Sequence, residues 1–294
     1  MISSRTFHKL MIGFYMLIFF GYLFGPLVIM VITAFNNSEY PQIYPFNGFT
    51  LRWFDRLFAD RDIMLGLKNA AIIGALVVCV SVPVGLAGAI IMTQVYDRAR
   101  SFYYLVVVSP VLTPGVIIGI STVIFWRDMT NLTGARFMFD GFVMTVLGQS
   151  CFISAYCMLI FLSRLQRFDK SQEEAALDLG ASYTQVFFHI LLPFLRPAIL
   201  SAAVLALLSS FENYNTTTFT ILSDKTFTTV LAGRVRQGTT PTISAVAVII
   251  IGVTLAGAII YELLKRYEDR QTAARLRRAA LEERAALTAT PATA

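Results

Sequence analysis

Ser171-Gln-Glu-Glu174-Ala-Ala176-Leu-Asp178-Leu-Gly180-Ala-Ser182-Tyr-Thr-Gln185-Val-Phe-Phe-His189-Ile190-Leu-Leu192-Pro193 is the stretch on which the reading of this chain turns. Its first half is too polar to sit in lipid. Ser171 with Glu174, and Ser182 with Gln185, each have the spacing of a capping box, and Gly180 between them suits a left-handed helix end. Helix, turn, helix is predicted. In the second helix Tyr183, Val186, Phe187 and Ile190 recur at i, i+3, i+4 and i+7, one apolar stripe for packing on a bundle. The first helix sets small Ala175 and Ala176 beside Glu173, Glu174 and Asp178. Such a helix can approach another protein closely and meet basic groups there, although a self-capped surface helix has the same pattern.

Outward from this polar island the chain is apolar. Hydrophobic residues make up 56% of the 294 and charged ones 14%, against roughly 25% in a soluble chain. A mean hydropathy of +0.66 excludes a disordered chain, and side chains this apolar must face lipid. Six stretches are near or above the roughly 20 residues a membrane-crossing helix needs: Met11 to Phe35, Asn69 to Met92, Tyr103 to Phe125, Gly141 to Leu162, Ile190 to Phe211 and Ile243 to Leu264. The fold class is therefore an all-α membrane protein of six spans, with the helix-turn-helix between the fourth and fifth. The first run is longer than a signal-peptide core and no A-x-A site follows it, so it reads as an uncleaved anchor.

With the N-terminus inside, fourteen basic residues fall on the cytoplasmic side and nine opposite, a bias that puts both termini in the cytoplasm. It divides the chain into a cytoplasmic start (1–10), a six-span domain (11–264) containing the loop 171–193, and a charged tail (265–294) that reads as a solvated helix. The net charge of +6 follows from this bias and does not call for nucleic acid. Pro83, Pro110 and Pro114 lie inside the second and third spans, where kinks satisfied by neighbouring helices are expected. Cys79, Cys151 and Cys157 fall in apolar runs without CxxC spacing and read as small buried hydrophobes.

Much chemistry is missing. There is no GxxxxGK[ST] phosphate loop, so the chain does not bind ATP in that manner. His8 and His189 begin no metal or triad pattern, and no nucleophile and base are paired as an intramembrane enzyme needs. The spans are almost free of ionisable groups apart from Arg196, which lies near enough to an end to snorkel. Proton coupling is disfavoured. Sodium coupling through carbonyls and hydroxyls would leave no such trace, which keeps an ion-coupled secondary transporter as the alternative.

Glu174-Ala-Ala176, three residues, Gly180, nine residues, Ile190, one residue, Leu192-Pro193 resembles the EAA motif of ABC importer permeases, with all seven defined positions matched. Chance agreement in a chain this long is roughly one in 10⁵ to 10⁶. The resemblance implies a non-catalytic permease subunit of a type I importer in the bacterial inner membrane. Its coupling helix, contributed by Glu173, Glu174, Ala175, Ala176, Asp178 and Gly180, would dock on a cytoplasmic ATPase. It further implies two such ATPases carrying ATP and Mg, a second permease, expected to be a different chain, and an extracytoplasmic solute-binding protein, with no cofactor on this chain.

Ser209 to Phe219 and Arg236 to Pro241 look like the spermidine/putrescine branch of that family. That branch more often carries two consecutive acids where this chain has Glu212-Asn213. Glu212, Asn213, Tyr214 and Asn215 end the fifth apolar run as its densest polar cluster. A carboxylate, two amides and a ring at that place suit an ammonium, and they are the expected contacts for a polyamine or similar small polar solute.

Overall fold

The computed structural model describes residues 4–257 together with Ile259, Ile260, Glu262, Leu263, Arg266 and Tyr267. It divides into two compact units, one from 1–59 with 239–294 and one from 60–238.

The first unit holds α1 (Ser4–Phe35), α2 (Arg52–Ala59) and α12 (Pro241–Gly257), and the six described residues beyond Gly257 are helical too. From His8 to Phe35, α1 is long and apolar enough to cross a bilayer, and most of its large side chains are exposed. It gives way after Phe35 to a loop organised by the buried Asn36. Asn36 Nδ2 donates to the carbonyls of Gln42 and Pro45, its Oδ1 accepts from Asn47 N–H, and its carbonyl accepts from Trp53 Nε1 at 2.8 Å. The guanidinium groups of Arg52 and Arg56 lie over the Trp53 ring, and both pair with Glu39. Thr33 Oγ1 donates to Ser244 Oγ at 2.9 Å and ties α1 to α12.

The second unit begins at Asp60, whose carboxylate caps α3 (Arg61–Gln94) by accepting from the N–H groups of Asp62 and Ile63. Then come α4 (Asp97–Leu112), α5 (Gly115–Thr133) and α6 (Gly141–Leu165), the last capped by Asp140. After them lie α7 (Ser171–Asp178) and α8 (Tyr183–Val186), which runs through a π-turn (Phe187–Leu191) into α9 (Leu192–Glu212). The short α10 (Thr217–Thr220) and α11 (Phe227–Gln237) complete it. The π-turn sits where Pro193 has no N–H to give and Pro197 follows a turn later. Leu192 N–H reaches back five residues to Phe187, which widens the helix and lets the chain continue.

The core of this unit is the contact of α3, α6 and α9. Ile73, Val77, Ser81, Gly85 and Ala89 line one face of α3 at four-residue spacing, and Ala198, Ala202, Ala206 and Ser210 line α9 likewise. Stripes of small residues let backbones approach where lipid offers no hydrophobic drive for helix pairing. A Cβ on Gly85 would fall 2.8 Å from Met158 N, so α3 and α6 touch backbone to backbone there. Buried residues make up 61% of the apolar window of α6, which makes it the central helix.

Among the described residues, four helices are long and apolar enough to cross a membrane: His8–Phe35, Arg61–Gln94, Gly141–Leu165 and the continuous run Tyr183–Glu212. The third predicted span is not one helix: α4 and α5 meet at 99° across Thr113 and Pro114, a break and not the kink expected there. The elbow is filled by the chain after α9, since a Cβ on Gly115 would lie 3.1 Å from Asn215 Cβ and one on Gly119 2.8 Å from Thr216 O.

Two further expectations are corrected. Cys157 is buried, but Cys79 and Cys151 are exposed, because an apolar run does not separate the lipid face of a helix from its packed face. The capping box at Ser171 does not form, because α7 starts one residue earlier and Ser171 is already helical. Asp169 Oδ1 accepts the Ser171 N–H instead, at 3.0 Å. The predicted tail, 265–294, lies outside the described residues except for Arg266 and Tyr267.

Candidate functional site: an exposed loop and a polar cavity

The loop between α6 and α9 is closed at its base by side chains. Arg164 Nε donates to Phe194 O, its guanidinium lies 4.2 Å over the Phe194 ring, and Phe168 packs on the same ring at 5.1 Å. From this base α7 stands out, and none of its residues is buried. Glu173 and Glu174 occupy its first turn, where carboxylates suit the helix dipole, and Asp178 sits in the last, where its charge does nothing for the helix. Glu174, Ala175, Asp178 and Gly180 are exposed, and Glu173 and Ala176 are half-buried. The hydroxyl and then the amide of Ser171 hold the Asp169 carboxyl below the usual carboxylate range.

Gly180 has φ +87° and ends α7 in a Schellman motif. Its N–H donates to Leu177 O at 2.9 Å and Ala181 N–H to Ala176 O at 3.0 Å. The capping box of Ser182 and Gln185 then starts α8, with Ser182 N–H donating to Gln185 Oε1 and Gln185 N–H to Ser182 Oγ. Of the predicted apolar stripe, Val186 is buried, Phe187 and Ile190 are half-buried, and Tyr183 is 75% exposed. Tyr183 at the first turn of α8 lies too near the tip to reach the bundle. With Leu179, 89% exposed, it gives the tip an apolar element that the sequence reading did not anticipate.

At the other end of α9, Glu212, Asn213, Tyr214 and Asn215 come together around a cavity of about 370 Å³, whose wall also includes Phe152 and Tyr156 of α6 and Leu205 and Ser209 of α9. Asn213 turns its Oδ1 inward, accepting from Thr216 N–H, Thr217 N–H and the Thr217 hydroxyl, so it shapes the turn into α10 and is not free for a ligand. Tyr214 Oη accepts from Arg236 at 2.8 Å. Glu212 is exposed, with no hydrogen-bond or ion-pair partner among the described residues. Behind the cavity the buried Gln149 accepts from Ser210 Oγ and donates to Thr217 Oγ1 at 2.7 Å. The sequence reading passed over Gln149, whose signal was a lone amide in an apolar span, and Phe152 with Tyr156, rings one helical turn apart. No cluster of His, Cys, Asp and Glu suited to a metal occurs among the described residues, and His189 is engaged with Gln185 O.

Residues 81–269 match the protein family described as binding-protein-dependent transport system inner membrane component. The chain is 30% identical over 261 residues to the putrescine transport system permease protein PotI of Escherichia coli K12, covering 87% of this chain and 91% of that one. It is 25% identical over 253 residues to the spermidine/putrescine transport system permease protein PotC of Haemophilus influenzae, covering 86% and 95%. Among solved structures it superposes with a TM-score of 0.65, at 18% identity, on a chain of a bacterial ABC transporter involved in the import of the acidic polysaccharide alginate, covering 88% of this chain and 94% of that one. The same likeness holds for that transporter in complex with a periplasmic protein bound to an alginate pentasaccharide. These relatives are transport permeases, and the fold is that of an ABC importer permease.

Proposed function

Because the chain belongs to the family of binding-protein-dependent transport system inner membrane components, we propose that it is the permease subunit of a polyamine importer. Kinship with a putrescine permease along nearly the whole of both chains is the observation that carries this reading. A partnerless carboxylate and several rings around one cavity agree with a cationic solute.

In this reading six spans cross the inner membrane, the α4–α5 pair counting as one and α12 with its continuation as the last, and both termini are cytoplasmic. Glu173, Glu174, Ala175, Ala176, Asp178 and Gly180 form the contact with a cytoplasmic ATPase. An eight-residue helix with no fully buried residue suits that role. Two ATPase subunits bind ATP and Mg, a second permease chain completes the path, and an extracytoplasmic protein delivers the solute. ATP-driven closure of the ATPases draws the coupling helices together and reorients the bundle. Net import requires that Glu212, Tyr214, Asn215 and their counterparts in the second permease hold solute more tightly in one state than in the other, with Asn213 shaping the turn that presents them. An ion-coupled secondary carrier draws no support from the family or from these relatives.

The test is uptake of labelled putrescine and spermidine in cells stripped of polyamine import and supplied with this chain and its neighbouring transport genes. Uptake that disappears when this gene is deleted supports the assignment. Unchanged uptake after deletion opposes it.

A further inference from the structure

We propose that Phe152 and Tyr156 on α6 complete, with Glu212 and Tyr214, a binding site for a primary ammonium group. The inference rests on the substrate-path reading above and adds to it two aromatic residues from another helix.

Phe152 and Tyr156 are one turn apart and share a face of α6, and Leu205, Ser209 and Glu212 at i, i+4 and i+7 share a face of α9. The two stripes bound a cavity of about 370 Å³, which falls in the size range of small-molecule sites and is lined also by residues 213–215. Phe152 and Tyr156 are half-buried, with centroids 6.3 Å apart and planes at 88°. Edge-to-face rings in one wall leave a ring face directed differently from its neighbour's edge, and the face is the electron-rich side that attracts an ammonium.

Charge decides the class of ligand. Glu212 is the one ionisable acid in the wall and no basic residue lines it. An anion would meet an unneutralised carboxylate, and a neutral solute would leave that carboxylate unpaired. The Arg236 guanidinium donates to Tyr214 Oη at 2.8 Å and forms no ion pair with Glu212 among the described residues. In the cavity of about 620 Å³ beside α11 both basic residues are matched, Lys225 by Asp62 at 2.9 Å and Arg234 by Asp60 at 2.7 Å, and Asp224 lines that cavity as well. Glu212 has no ion-pair partner among the described residues, and an aliphatic ammonium supplies one while laying its methylenes along Leu205 and the rings.

The experiment uses the complete assembly in proteoliposomes, with labelled putrescine, and reads putrescine imported per ATP hydrolysed. ATP hydrolysis stimulated by the binding protein is read separately as the control for docking and folding. Phe152→Leu combined with Tyr156→Leu is expected to lower import per ATP at least about fivefold, in line with loss of a desolvated cation–π contact, and Tyr156→Phe to stay within about twofold of the parent. Where leucine blocks assembly, Tyr156→Met refills the volume without a ring and is read in its place. Parent-like import by the ring-deleted variants, with Glu212→Gln impaired, overturns the aromatic site alone. Tyr156→Phe as damaging as Tyr156→Leu overturns it as well. Parent-like import by every variant including Glu212→Gln overturns the substrate-path reading beneath it.

Discussion

The Gln149 side chain, 1% exposed in the middle of α6, donates a 2.7 Å hydrogen bond to the hydroxyl of Thr217 in the turn beyond α9. Its oxygen accepts from Ser210, and Thr217 passes the connection on to Asn213. One amide therefore joins the central helix to both sides of the chain reversal that presents Glu212 and Tyr214. Buried networks of this kind are costly to leave half satisfied. Gln149→Leu keeps the volume and removes both bonds, stranding the buried Ser210 hydroxyl. We expect a loss of about 1–3 kcal/mol and a thermal midpoint lower by a few degrees, with uptake reduced. Unchanged melting and uptake would show that the reversal is held by packing alone.

At the exposed loop, Glu174→Arg and Gly180→Leu are expected to abolish most uptake while the subunit still inserts. The first reverses a charge at a helix N-terminus and opposes a basic partner surface, and the second puts a Cβ on a residue at φ +87°. Copurification of the ATPase should fall with both. Retention of full uptake by both variants removes α7 from the coupling role.

Asp169 links the loop to pH. Its carboxyl titrates below the ordinary range because the Ser171 hydroxyl and amide bond its charged form. A lowered folded-state value means that its contribution to α7 is present above the unfolded value of about 3.9 and is lost as pH falls through the lowered one. At neutral pH the contribution is complete, so Asp169→Ala should fray the start of α7 there and speed tryptic cleavage after Lys170. An unchanged cleavage rate would show that Ser171 needs no cap.

The loop was the most legible part of the chain in sequence because its determinants are local: a glycine at the left-handed position and a Ser-x-x-Gln box specify a turn within a few residues. The Ser171 box failed for an equally local reason, since Asp169 two residues earlier competes for the same N–H. The α4–α5 elbow was not legible. Pro110 and Pro114 mark a weak point, but whether it kinks or breaks depends on Asn215 and Thr216, a hundred residues away, filling the angle against Gly115 and Gly119. Phe152 and Tyr156 escaped notice as ring pairs do in any apolar helix, because only the tertiary fold sets them opposite Glu212.

Orientation is tested by single cysteines in a background without Cys79, Cys151 and Cys157. Position 172 should react only with reagents that reach the cytoplasm and position 128 from outside, following the fourteen to nine basic bias. The opposite pattern inverts the topology and removes α7 from any cytoplasmic ATPase.

Import of a polyamine powered by ATP on partner subunits is tested in proteoliposomes. The complete assembly is reconstituted with the binding protein outside, labelled putrescine is added, and accumulation is compared with ATP and Mg enclosed and without them, at equal sodium and pH on both sides. Accumulation is expected only with enclosed ATP and Mg, and Glu174→Arg in this chain abolishes it. In a second arm without ATP, accumulation when a sodium gradient is imposed would rule out ATP as the driving force.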